Sequence, residues 1–423
     1  MESTVLALGA LVFAAYVFRI VFQRTRVPDV LLLICVGLLL GPVTHLVAED
    51  SLGRVGAVLS EVALVTLLFE GGTTLDLGVL ARALRPTLRL TLVTFVLTAL
   101  LTAAVGWSLL GLSPLAALML GCAVGGSSSV VVIPLARGLG LGEKCATVLI
   151  LESALTDVLC IVTVFALIDA AAQGGAAPLR VVGQIASSML FAALLGALGG
   201  VAWMRVLPLV RRLPDTIFAT VAFVFIVYGI TQLLGYSGGI AALSFGVTLT
   251  NHERFEWIER LVRRGGAGGL ATLLDVEQKF FGEIVFLLKT LFFLYLGLSI
   301  RFADARVLAA AFIVVASVYL ARVVITARVA DRDISVRDAA LTSIMVPKGL
   351  AAAVLATVPL HAGVAGGEAI RDVTYAVVFF SIVLTSLLGW ASERAPMARF
   401  YATVFGRFGG APATAPAASA GAS

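Results

Sequence analysis

The sequence predicts an all-α membrane protein of about thirteen transmembrane helices, built as an inverted repeat in which two broken helices cross. Three observations carry that expectation. First, 60% of the 423 residues are hydrophobic and 13% are charged, about half the charged share of a soluble domain; mean hydropathy is +1.06. Second, the apolar runs are about 20 residues long and do not alternate, which fits helices and argues against a β-barrel. Third, two of the runs are interrupted by Gly, Ser and Pro at related places in the chain, where a repeated membrane chain can place a polar site.

Apolar runs bounded by Pro, Gly and charge give spans at 3–22, 27–47, 55–75, 87–110, 113–137, 145–170, 180–206, 215–234, 237–250, 283–300, 306–328, 338–360 and 371–391. The run at 237–250 is short for a crossing. Residues 252–282 are charged, then Gly-rich, then amphipathic, and are expected to form a loop with an interfacial helix. Residues 1–395 are read as one transmembrane domain, and 396–423 as a cytoplasmic tail, mostly disordered and of low complexity from Gly409. Glu2 stands where a signal peptide would be basic, so the first run is expected to stay as a helix.

Charge sets the orientation. Of the 30 Lys and Arg, twenty fall in loops on the side of the first connection, five on the other side and five within spans. This places the N-terminus outside and the C-terminus in the cytoplasm of an inner, cytoplasmic membrane. The net charge of +5 is spread over many short loops, so it forms no nucleic-acid footprint. Cys35, Cys122, Cys145 and Cys160 lie in or beside apolar runs without metal-type spacing and read as small buried residues. His45, His252 and His361 are too scattered for a metal site, and no cofactor is expected.

A weak internal repeat runs through the chain. VPDVLLLICVGLLLGP (27–42) resembles YSGGIAALSFGVTLTN (236–251), and LSEVALVTLLFEGG (59–72) resembles FGEIVFLLKTLFFLYLG (281–297). The Gly/Ser break near 125–134 has a counterpart in SIMVPKGL (343–350). Repeat one is then about 3–170 and repeat two about 215–391, with 180–206 as connector. Six spans per copy plus one connector make the copies enter from opposite sides, and the broken helices mark the binding site.

The candidate chemistry lies around those breaks. Gly125 and Gly126 permit an unwound turn, and Ser127, Ser128 and Ser129 offer hydroxyls and free carbonyls where half-helix ends meet. Glu152 and Asp157 are carboxylates inside an apolar run, which a bilayer tolerates when they face a wet cavity or a partner. Asp157 shares a helix face with Ser153 and Thr156. Glu152 points about 140° away, so one acid can face a cavity and the other a neighbouring helix. A buried carboxylate can hold a proton or a small cation, the minimum for exchange. Lys348, between Pro347 and Gly349, needs an anionic partner or facing dipoles; Glu152 and Glu70 are the candidates. Glu70 reads equally as an interfacial acid, as Glu61 and Glu283 are expected to be.

The ordered set LFEGG (68–72), Gly-rich break, ESxxxD (152–157) and a basic residue before Gly349 resembles the cation/proton antiporter superfamily, most closely its sodium/proton exchanger branch, over about residues 5–395. The resemblance implies an antiporter fold, not an enzyme, with Asp157 as shared carrier of the proton and the monovalent cation (the only metal expected) and Ser153 and Glu152 beside it. Thr156 stands where the family usually has Asn, Ser127–Ser129 where its first broken helix reads TDP, and Lys348 where its late broken helix has Arg pairing with a buried Glu. One clear titrating carrier implies electroneutral exchange of one Na+ or K+ for one H+. The resemblance also implies a homodimer with a moving core of about six helices. A sodium- or proton-coupled organic anion transporter of the same broad fold is the alternative.

Overall fold

The computed structural model describes residues 2–25, 27–46, 53–74, 77–172, 178–213, 218–251, 275–300, 304–330, 333–392 and 394–408. Among the described residues there are helices and connections and no strand. In chain order the helices are α1 (Glu2–Thr25), α2 (Asp29–Leu38), α3 (Gly53–Thr74), α4 (Leu77–Leu110), α5 (Pro114–Val124), α6 (Ser129–Gly138), α7 (Glu143–Ala172), α8 (Pro178–Val210), α9 (Ala219–Leu233), α10 (Gly238–Thr250), α11 (Asp275–Ser299), α12 (Ala305–Val329), α13 (Val336–Ile344), α14 (Leu350–Leu355), α15 (Thr357–His361), α16 (Gly367–Ser392) and α17 (Ala395–Val404). Six of them are long and apolar enough to cross a membrane on their own, and six stretches of 10–17 residues are apolar but shorter. Each expected run coincides with a helix or with a set of part-helices: α5 and α6 share one run, and α13 to α15 share another.

Local chemistry fixes several starts. Ser113 precedes Pro114, and its hydroxyl accepts from the Ala116 amide; Pro is suited to the first helical position, where no amide donor is needed. Ser237, Asp304 and Ser335 cap α10, α12 and α13 in the same way. Two expectations shift at helix edges. Residues 275–282, expected as part of a loop with an interfacial helix, are instead the opening turns of α11, while 252–274, with His252, lie outside the described residues. The tail opens with α17, which buries Tyr401 and is followed by buried Phe405 and Phe408; Gly409 onward lies outside the described residues.

The packing is crosswise between the chain's two halves. A Cβ on Gly37 of α2 would lie 2.9 Å from Gly297 Cα of α11, and one on Gly72 of α3 would lie 3.0 Å from Gly246 Cα of α10. Gly246 follows Gly37 by 209 residues and Gly297 follows Gly72 by 225. The two contacts therefore exchange under the repeat offset, and small residues let the backbones touch. The same exchange relates two hydrogen bonds: Tyr16 Oη donates to Glu283 Oε2 at 3.0 Å, and Tyr228 Oη donates to Glu61 Oε1 at 3.0 Å. Helices α4, α5, α7, α12, α13 and α16 pack against one another and carry both breaks.

Candidate functional site

The two breaks touch. Helix α5 stops at Val124 and α6 starts at Ser129; α13 stops at Ile344 and α14 starts at Leu350. The Ser128 amide donates to Pro347 O at 2.8 Å, joining one break to the other through the backbone. Gly349 is required here: a Cβ on it would run into the Ser128 side chain. Ser127 and Ser128 are buried. Ser129 opens α6, and its side chain lies outside the described residues.

Helix α7 runs beside the first break and holds it by two hydroxyls. Ser153 Oγ donates to Ser127 O at 2.7 Å, and the Ser127 amide donates to Thr156 Oγ1 at 3.2 Å. Thr156 passes its own proton to Ser153 O at 3.0 Å. Asp157 sits on the same face: its Oδ1 is 3.6 Å from where a Gly126 Cβ would stand. Its side chain is half-buried and has no hydrogen bond or ion pair among the described residues. The carboxylate thus faces the crossing with its oxygens uncommitted.

Glu152 points elsewhere and is committed. Arg322 of α12 grips both its oxygens, Nη2 to Oε2 at 2.6 Å and Nη1 to Oε1, with 1% and 2% of the two side chains exposed. The same guanidinium reaches Thr94 Oγ1 of α4 at 2.7 Å and Thr342 O of α13 at 3.4 Å. Four elements are pinned by one cation, as the forked geometry of Arg allows. Arg322 is one of the five basic residues within the expected spans; its signal in the sequence is its place in YLARVVITA, where an ionisable side chain calls for a named partner.

The expected pairing of Lys348 with Glu152 or Glu70 is therefore corrected. Arg322 holds Glu152, and Lys348, 1% exposed, donates from Nζ to Gly126 O at 2.8 Å. Its amide donates to Ser381 Oγ of α16 at 2.9 Å. Helix α5 ends with carbonyls aimed at the break, and an ammonium there offsets the negative end of the helix dipole. The expectation of free carbonyls is corrected with it: those of Gly126 and Ser127 are taken by Lys348 and Ser153. Glu70 lies on α3 in the wall of a cavity of about 1010 Å³, with Arg19, Asp29, Lys279, Glu283 and Lys289. Val130, Ile133 and Pro134 of α6, the half-helix that leaves the break, line the same cavity.

Residues 9–391 match the family described as sodium/hydrogen exchanger, transmembrane. The chain belongs to this family. Among its relatives, the K(+)/H(+) antiporter NhaP of Alkalimonas amylolytica is 24% identical over 284 residues, 61% of this chain and 48% of that protein. Na(+)/H(+) antiporter 1 of Methanocaldococcus jannaschii is 29% identical over 89 residues, 21% of each chain. The chain thus spans about half the length of one curated relative, and the match to the other is shorter. The structure of the sodium proton antiporter MjNhaP1 from Methanocaldococcus jannaschii at pH 8 superposes with TM-score 0.65 at 16% identity, over 96% of this chain and 99% of that one. That likeness establishes a shared fold for this exchanger-family chain, with two broken helices in a multi-pass bundle.

Proposed function

We propose that the protein exchanges a monovalent cation, Na+ or K+, for H+ across a membrane by alternating access, with Asp157 as the shared carrier. The observation that carries this reading is the contrast between the two acids. Glu152 is locked to Arg322, whereas Asp157 faces the crossing of the breaks with no partner among the described residues. Only an uncommitted carboxylate can trade a proton for a cation. Family membership over 9–391 and relatives named as K(+)/H(+) and Na(+)/H(+) antiporters support the ions chosen.

Ser127, Ser128, Ser129, Ser153 and Thr156 shape the site and supply oxygens to the cation. Lys348 holds the Gly126 carbonyl and faces the end of α5. One carrier that holds one proton or one cation exchanges them one for one, so transport is electroneutral. The protein works as a homodimer, as the family resemblance implies, and the charge asymmetry of its loops supports an N-terminus outside and a C-terminus in the cytoplasm.

Purified protein in proteoliposomes should show proton flux driven by a Na+ or K+ gradient, unchanged when the membrane potential is clamped. Asp157→Asn, nearly isosteric, should fold and abolish that flux. Full activity in this variant would overturn the assignment of the carrier, and flux that follows the membrane potential would overturn electroneutrality.

A further inference from the structure

Away from the crossing, the bundle buries a second polar region that exchange at Asp157 does not use. Helix α4 carries threonines at 87, 91, 94, 98 and 102, all buried and all on one face by helical spacing. Thr94 meets Arg322. Thr91 and Thr87 lie about 4.5 and 10 Å from it along the axis, toward the start of the helix. Among the described residues their hydroxyls have no hydrogen-bond partner, and neither do those of Thr326 on α12 and Thr342 on α13. Thr326 is one turn beyond Arg322 in the same direction, and the Thr342 carbonyl is itself an Arg322 partner. Four uncommitted, fully buried hydroxyls thus gather on one side of the Arg322–Glu152 pair.

A cavity of about 30 Å³ opens at the same end of the bundle, lined by Thr342, Leu90 of α4, Cys145 and Val148 of α7, and Val329 of α12, with Lys144 at its edge. Lys144 Nζ bonds both oxygens of Asp333, at 3.0 and 2.8 Å, in an exposed ion pair. That hydrogen bond holds the Asp333 carboxyl below its usual range, so it is ionised at neutral pH. Space of this size holds one or two water molecules. Of the four threonines Thr342 lines this space, and no carboxylate is among the residues that line it, so it offers a cation no counter-charge.

We infer that the seam between α4, α7, α12 and α13 is a water-binding site, in which ordered water bonds the Thr342 hydroxyl in this space and continues along the seam to those of Thr87, Thr91 and Thr326. Buried hydroxyls are rarely left without a partner.

The sign of a stability change tests this. Thr→Val is nearly isosteric. If the seam is dry, losing an unpartnered hydroxyl relieves a desolvation penalty and raises Tm. If it is wet, the substitution removes a bond to water and lowers it. We expect Thr87→Val, Thr91→Val, Thr326→Val and Thr342→Val each to lower Tm of the full chain in detergent by about 1–2 °C. Radiolytic hydroxyl labelling of the same protein should modify Cys145 and Val148 well above Val314, which lies in the apolar cluster of α12. A rise in Tm for the four variants, or labelling of Cys145 and Val148 no greater than that of Val314, overturns the inference.

Discussion

Glu152 and Asp157 are five residues apart on one helix, yet they have opposite fates. The angle between them lets Glu152 face α12 while Asp157 faces the first break. Removing one member of a fully buried ion pair strands the other, at about 3–5 kcal/mol, whereas replacing both with apolar residues is often near neutral. Arg322→Met should therefore destabilise the protein severely. Adding Glu152→Leu should restore most of the lost thermal stability, as measured by Tm in detergent. If the double variant is no more stable than Arg322→Met alone, the pair is not what makes Arg322 important. At this scale the sequence showed which side chains were unusual but not their partners. ESALTD marked both acids and the pitch of the helix separated them. The claim of Arg322 on Glu152 depends on how α7 and α12 pack, and that is not written in either run.

At the scale of elements, the site is two half-helix pairs held together at a few backbone points. Ser128 and Gly349 touch where the breaks cross, and the contact leaves no room for a Cβ. Gly349→Ala should disrupt the crossing and reduce flux at least tenfold, and Ser128→Gly added to it should recover folding by removing the side chain in the way. A Gly349→Ala protein of normal Tm and normal flux would show that the breaks can separate without cost. The positions of both breaks were legible from Gly, Ser and Pro inside apolar runs. What Lys348 does was not, because its partner is a carbonyl of Gly126, and a carbonyl freed by a helix end leaves no side-chain signature.

The whole molecule was legible mainly through the length and spacing of its apolar runs, all of which became helices, and through the weak resemblance between its halves. The crosswise pairs, Gly37 with Gly297, Gly72 with Gly246, Tyr16 with Glu283 and Tyr228 with Glu61, place the two halves in each other's cores. Neither half should then be stable alone. Residues 1–213 expressed without the rest should be degraded, while co-expression with 214–423 should yield a complex that survives detergent; a stable, monodisperse first half would contradict this. The same pairing imposes a delay during synthesis. Partners lie 209 and 225 residues apart for the two glycine contacts, and at roughly 5–20 residues per second the first partner waits about 10–45 s for the second. During that interval α2 and α3 sit in the membrane with their close-packing faces open. The ribosome and the insertion machinery are thus part of how this symmetric bundle reaches a single structure.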